Sequence, residues 1–211
     1  MRKILCFVAV CIMVMSILCG CGALKKAGLI DDNDELRPVS SIVLNEDEAK
    51  KLSDKVPVRL YFANEENSKL LVEIRYIPMS EAKKSVNNLA STIVKELIKG
   101  PMESTGMKAT IPEGTKLRSP VSINAGIATV DFTKEFIDKH PGGKAGEEMT
   151  IYSIVNSLTE LKEIQKVRFA VNGKERKELK GEFKFDEPFP RNQSIISDEP
   201  PVRSTIMDVE E

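Results

Sequence analysis

The residues between 56 and 190 predict an α+β fold: a mainly antiparallel sheet with two long helices packed on one face. Three observations carry it. Short segments alternate apolar and polar side chains at period two, the first being Val56-Pro57-Val58-Arg59-Leu60-Tyr61-Phe62. Two longer segments repeat apolar residues every three or four positions, through Val86, Leu89, Ile93 and Leu97 and through Ile151, Val155 and Leu158. Turn formers separate them, at Gly100-Pro101, Asn124-Ala125-Gly126 and Asn172-Gly173.

In chain order, Val56 to Phe62 reads as a half-buried strand. Asn64 to Ser68 is a connection, and Leu70, Val72, Ile74 and Tyr76 alternate with Glu73 and Arg75 as a pairing strand that Pro78 stops. Ser80 is the expected cap of the first long helix, with Glu81 in its first turn and Gly100-Pro101 ending it. Val121 and Ile123 lead through a tight hairpin to Ala128, Val130 and Phe132. A short helix is expected from Lys134 to Lys139, and the second long helix from about Gly146 to Glu163. Val167, Phe169 and Val171 form a further strand. A charged stretch follows as far as Gly181, read as an edge strand or protruding hairpin, after which Phe183 and Phe185 alternate again. The element order is β-β-α-β-β-α-β, with no long tandem repeat.

The ends read differently. Arg2 and Lys3 precede an apolar run from Ile4 to Leu18, too short for a membrane span of about 20 residues but of secretory length. Residues 1–20 are therefore expected to be a signal peptide. Leu18-Cys19-Gly20-Cys21 resembles the bacterial lipobox, and that resemblance makes Cys21 the expected lipid attachment site, since only a thiol forms the required thioether. Residues 21–55 are expected to be a lipidated flexible tether, with a reach of roughly 30 Å. Within it, Asp31 to Glu35 lacks the Gly and Glu that an EF-hand loop needs at its sixth and twelfth positions. Residues 191–211, rich in Pro and acidic groups, are expected to be a disordered acidic tail.

Composition narrows the function. The four cysteines all lie at positions 6, 11, 19 and 21, so no thiol, disulfide or cysteine metal ligand serves the domain. The net charge is −1 and there is no Trp, which argues against nucleic acid as a partner. His140, the single histidine, lies in Lys139-His140-Pro141-Gly142-Gly143 and reads as a solvated loop residue, without the second imidazole of a His-built zinc site. Asp131 is either a buried acid or, the commoner use, a cap for the following helix. Asn156 is either a polar site on an apolar face or one buried hydrogen bond to a neighbouring backbone group. Gly142-Gly143-Lys144 lacks the Walker spacing, and Lys174-Glu175-Arg176-Lys177 reads as a solvated hairpin. Asn192-Gln193-Ser194 matches a glycosylation sequon by chance.

Six phrases in order carry a family resemblance: Val58-Arg59-Leu60-Tyr61-Phe62, Glu96-Leu97-Ile98-Lys99-Gly100-Pro101, Ile111-Pro112-Glu113-Gly114-Thr115, the hairpin from Asn124 to Phe132, the helix from Ile151 to Thr159, and Val167 to Gly173. Together they make residues 56–190 resemble a single GerMN domain. The resemblance implies a small α/β module in envelope lipoproteins of spore-forming bacteria, similar to ring-building domains of sporulation channels. It implies no enzymatic activity and no cofactor. The expected protein is thus anchored by lipid at the outer face of the cell membrane and acts on an envelope protein partner. The alternatives are a lipoprotein that binds a small molecule or wall fragment, and an envelope hydrolase that would have to rely on His140 alone.

Overall fold

The computed structural model describes residues 53–103 and 105–203. The signal segment, Cys21 and nearly all of the tether lie outside the described residues.

Strand β1 (Lys55–Ala63) pairs antiparallel with β2 (Leu70–Pro78), from Lys55↔Pro78 to Ala63↔Leu70. Asn64 organises the connection: its Oδ1 accepts from Ser68 N at 2.9 Å and Lys69 N at 3.1 Å. This closure fixes the register, and register decides which face each side chain joins. Leu60 stands opposite Glu73 and Val58 opposite Arg75, so the core face of β1 continues onto the polar positions of β2. Leu70 and Val72 lie on the other face with Tyr61 and Ala63, in a second small apolar cluster that includes Met149.

A short helix α1 (Met79–Ala82) follows, then α2 (Val86–Lys99). The cap is Ser85 rather than Ser80. Its Oγ accepts from Asn88 N, while Asn88 Nδ2 donates back to Glu81 O at 2.8 Å. That local exchange breaks the predicted helix in two. Ala90, Ile93, Val94 and Leu97 form the buried stripe, and Gly100 ends the helix at φ +86°, a backbone state that favours glycine.

Strands β3 (Ser122–Asn124) and β4 (Ile127–Phe132) form the expected hairpin. After α3 (Glu135–Asp138) and α4 (Lys144–Leu158), β5 (Lys166–Val171) returns parallel to β4. The intervening helices supply the crossover that a parallel pair needs. Strand β6 (Lys174–Glu175) and β7 (Phe189–Pro190) both pair antiparallel with β5, and β8 (Val202–Arg203) pairs parallel with β2.

The fold is α+β and most of its strand pairs are antiparallel, as the periodicity indicates. The strands divide into two sheets, β1-β2-β8 and β3-β4-β5-β6, with β7 alongside β5. Helix α4 packs against β1, α2 and β5. The larger apolar core spans Leu60, Phe62, Val94, Leu97, Val130, Ile151, Ile154 and Phe169, and Phe132 stacks on Phe136 at 4.3 Å.

Residues 191–203 are the main correction to the predicted domain limits. Their polar composition suggests a free tail, yet they form a strap along β2. Leu70 N donates to Ile195 O and Ser197 N to Leu70 O, both at 2.8 Å. Ile195 and Ile196 pack onto the second apolar cluster. Two isoleucines and two backbone bonds are among the contacts that hold a segment with no periodicity of its own.

Candidate functional site

Helix α4 carries polar side chains at Glu147, Thr150, Ser153, Asn156 and Ser157, all buried. At about 100° per residue the spacing of three makes each neighbouring pair of Glu147, Thr150, Ser153 and Asn156 adjacent but winds the row around the helix, so that Glu147 and Asn156 end on opposite sides. Each bonds to a different part of the chain. Glu147 Oε2 accepts from the backbone N–H groups of Glu182 and Phe183, at 3.2 and 3.1 Å. Thr150 Oγ1 donates to Thr110 O at 2.5 Å, and Thr110 Oγ1 donates to Ser153 Oγ at 2.7 Å. Ser153 Oγ donates to Tyr61 O at 2.6 Å, and Ser157 Oγ accepts from Tyr61 N at 3.1 Å. These two serines occupy the free edge of β1, which a neighbouring strand would otherwise seek.

Asn156 meets the second of its two readings, and adds to it. Its Nδ2 donates to Asn192 O at 2.8 Å and its Oδ1 accepts from Asn192 N at 3.0 Å, a two-bond clasp on the strap. Beside it, Arg191 donates to Asn156 O, Tyr61 Oη and Glu160 Oε1, at 2.8, 2.7 and 2.7 Å. The guanidinium lies 5.3 Å over the Tyr61 ring. Burial first, then the Glu160 carboxylate, push the Tyr61 hydroxyl above its usual range, so it stays protonated and donates to Glu160.

His140 is not a solvated loop residue; it is 4 % exposed. Gly142 N donates to its Nδ1 at 2.9 Å, which makes Nδ1 the unprotonated nitrogen. Nε2 lies 2.9 Å from Thr150 Oγ1, whose own proton goes to Thr110 O, so Nε2 carries the hydrogen. Both nitrogens are committed, and neither is presented to a serine hydroxyl as a triad requires. The imidazole pKa is depressed, by burial first and by Lys180 in addition, with Glu147 opposing. The unfolded chain therefore binds this proton at a higher pH than the folded one. The stabilisation is complete above the ordinary value of 6.5 and is lost as pH falls below it. Taking the protein from pH 7.5 to 5.5 is expected to lower its urea midpoint, at a slope of up to about 1.4 kcal/mol per pH unit. His140→Gln should flatten that slope; an unchanged slope in the variant assigns the acid sensitivity elsewhere.

Asp131 does not cap α3, whose N-terminus has no side-chain cap. Its Oδ2 pairs with Arg118 at 2.9 Å, and its Oδ1 accepts from Gly173 N at 3.0 Å. It closes the turn between β5 and β6, where Gly173 takes φ +74° beneath the Arg118 guanidinium. Lys174 to Lys177 are exposed, with β6 at their start.

Sequence reasoning passed over Glu73, Arg75, Glu147, Thr150, Ser153, Ser157 and Arg191. The α4 group had a signal: polar residues at spacing three inside an apolar helix. Among the described residues no three His, Cys, Asp or Glu side chains are grouped to hold a metal ion, and no helix is long and apolar enough to cross a membrane.

Comparison with known proteins completes the picture. A family model described as Germane, sporulation and spore germination, matches residues 59–177, more than half of the chain. The spore germination protein GerM of Bacillus subtilis (strain 168) is 29 % identical over 172 residues, covering 77 % of this chain and 44 % of that protein. The chain thus spans less than half the length of this relative. The solved tandem GerMN domains of the Bacillus subtilis sporulation protein GerM match with a TM-score of 0.56 and 27 % identity, covering 69 % of this chain and 49 % of that one. The first GerMN domain alone matches at a TM-score of 0.52 and 26 % identity, covering 64 % of this chain and 98 % of that one. The chain belongs to the Germane family of sporulation and spore germination, and its role is related to one of those processes.

Proposed function

We propose that this protein is a lipoprotein, anchored through Cys21 at the outer face of the cell membrane, whose GerMN domain acts without catalysis by contact with an envelope protein. One observation carries the reading: the hydroxyl, amide and imidazole groups of the α4 seam are consumed by internal bonds. Thr150, Ser153, Ser157, Asn156 and His140 each hold another segment of the same chain. What the domain offers to others is its surface, including the outer edge of β3 at the end of the larger sheet. A strand edge is a ready template for a partner chain. The cysteine placement supports the anchor, since all four lie at or before position 21. The match spans less than half of the curated relative, so the role of that whole protein is not carried over.

The test combines fractionation and crosslinking during sporulation. A photo-crosslinking residue at Ser122 in the full chain is expected to give one discrete protein adduct in the membrane fraction. With Cys21→Ala the chain is expected to leave that fraction and lose the adduct. A variant that stays membrane-bound and processed overturns the lipid anchor. Adducts to lipid alone overturn the protein-contact reading.

A further inference from the structure

A cleft of about 530 Å³ lies at the end of the larger sheet farthest from β3, between α3 and the charged segment that begins with β6. Its floor includes the buried side chains of Ile137 and Val171. Its walls carry Lys134, Lys174, Arg176 and Lys177. None of these four cations has an ion-pair partner among the described residues, although Arg59, Arg75, Arg118, Arg168 and Arg191 all do. Glu175, which also lines the cleft, is taken by Arg168 at 3.2 Å. Asp138 and Glu178 remain as the unpaired acids, so positive charge is in excess here on a chain whose net charge is −1.

The charged wall is built rather than loose. Leu179 and Phe185, just beyond it, are in the core, 1 % and 5 % exposed. Phe185 N donates to Lys177 O at 2.8 Å. The buried Glu147 carboxylate holds the intervening turn by two backbone N–H groups. At the other end the Asn172-Gly173 turn is tied to Asp131. A buried acid and two core side chains thus fix a row of cations whose side chains have no ion-pair partner among the described residues.

We propose that this cleft binds a phosphate-bearing anion with more than one phosphate group. Four unpaired cations around one cavity match several charges better than one. No aromatic side chain lines the cleft, so stacking on a base or a sugar ring has no platform there. Recognition falls to charge and hydrogen bonding by ammonium and guanidinium groups, which take phosphate oxygens directly. Binding of this kind is modest and falls with salt. The inference does not depend on the protein-contact reading, which concerns the opposite end of the sheet.

The experiment uses the full chain in phosphatidylcholine nanodiscs, titrated with tripolyphosphate at low salt and followed by equilibrium dialysis. Saturable binding is expected. The triple variant Lys174→Gln, Arg176→Gln, Lys177→Gln is expected to bind about tenfold more weakly, as the sum of three exposed charge contacts. Lys162→Gln and Lys166→Gln, which remove charges outside the cleft, are expected to leave the affinity unchanged. An unchanged thermal midpoint in the triple variant keeps its loss from being read as unfolding. Absence of saturable binding, or equal binding by the triple variant, overturns the proposal. A second arm distinguishes the source of the phosphate. Weaker tripolyphosphate binding in cardiolipin-containing nanodiscs, whose headgroup carries two phosphates, seen in the native chain and absent from the triple variant, assigns the cleft to a lipid headgroup. Unaltered binding there assigns it to a soluble phosphate chain.

Discussion

Truncation of the chain after Pro190 is expected to lower folding stability by about 4 kcal/mol, measured as the loss of urea midpoint at constant slope. The strap beyond Pro190 contributes at three places that fail together. Without Asn192, the amide of Asn156 is buried on α4 with neither its donor nor its acceptor matched, and an unmatched buried polar group costs about 1–3 kcal/mol. Without Ile195 and Ser197, the N–H and C=O of Leu70, a fully buried residue, lose their partners. Without Ile195 and Ile196, the apolar cluster of Tyr61, Leu70, Val72 and Met149 is open to water. Natural domains are stable by only about 5–15 kcal/mol, so such a loss uses up much of the margin. A truncated chain that keeps the full midpoint would show the strap to be an attachment and not part of the fold. Arg191→Ala separates the terms: it breaks the bonds to Tyr61, Glu160 and the α4 carbonyl while leaving the Asn192 clasp and the isoleucines in place.

What the sequence made legible follows a physical line. Elements whose apolar period matches their own length were readable: β1, the β3–β4 hairpin, β5 and the body of both long helices. Their burial is decided locally. What failed was decided by contacts between distant segments. The pairing of β4 with β5 is parallel because α3 and α4 intervene, and nothing in Ile127–Phe132 or Lys166–Val171 announces it. The strap has no period because only Ile195 and Ile196 give it apolar anchors and polar bonds to distant segments hold the rest. His140 reads as a loop residue by its Pro and Gly neighbours; its burial comes from Thr150, ten residues on. Asp131 reads as a helix cap by position, but Gly173 and Arg118 take both its oxygens from elsewhere. On α4 the spacing of polar residues was visible and their purpose was not. A helix with polar residues on several sides looks solvated until the separate segments that cover them are known.

The same register argument predicts the largest effect of a single substitution, at Arg75. Since Leu60 faces Glu73 and Val58 faces Arg75, two charged residues of β2 stand on the core face. Glu73 is fully buried and Arg75 is nearly so, with 13 % of its side chain exposed. The pair survives there because every group is matched. Arg75 Nε donates to Glu73 Oε1 at 2.6 Å, Nη1 to Glu96 O and Oε2 at 3.0 Å, and Nη2 to Gly100 O at 2.5 Å. Glu73 Oε2 accepts from Met102 N at 3.0 Å. The guanidinium also covers the Phe62 ring at 5.6 Å and sets a positive charge against the carbonyl end of α2. Arg75→Met keeps the volume and removes the charge, so the Glu73 carboxylate is left buried beside methylene groups. Breaking a buried pair from one side costs about 3–5 kcal/mol, and that is the expected loss of stability by urea unfolding. Adding Glu73→Leu should recover part of the loss, since no buried charge then remains, but not all of it, because Gly100 O, Glu96 O and Met102 N stay unmatched. A double variant less stable than Arg75→Met alone would mean that Glu73 holds the loop after α2 without needing Arg75. A cost below about 1 kcal/mol for Arg75→Met would place this pair with ordinary surface ion pairs, in conflict with its burial.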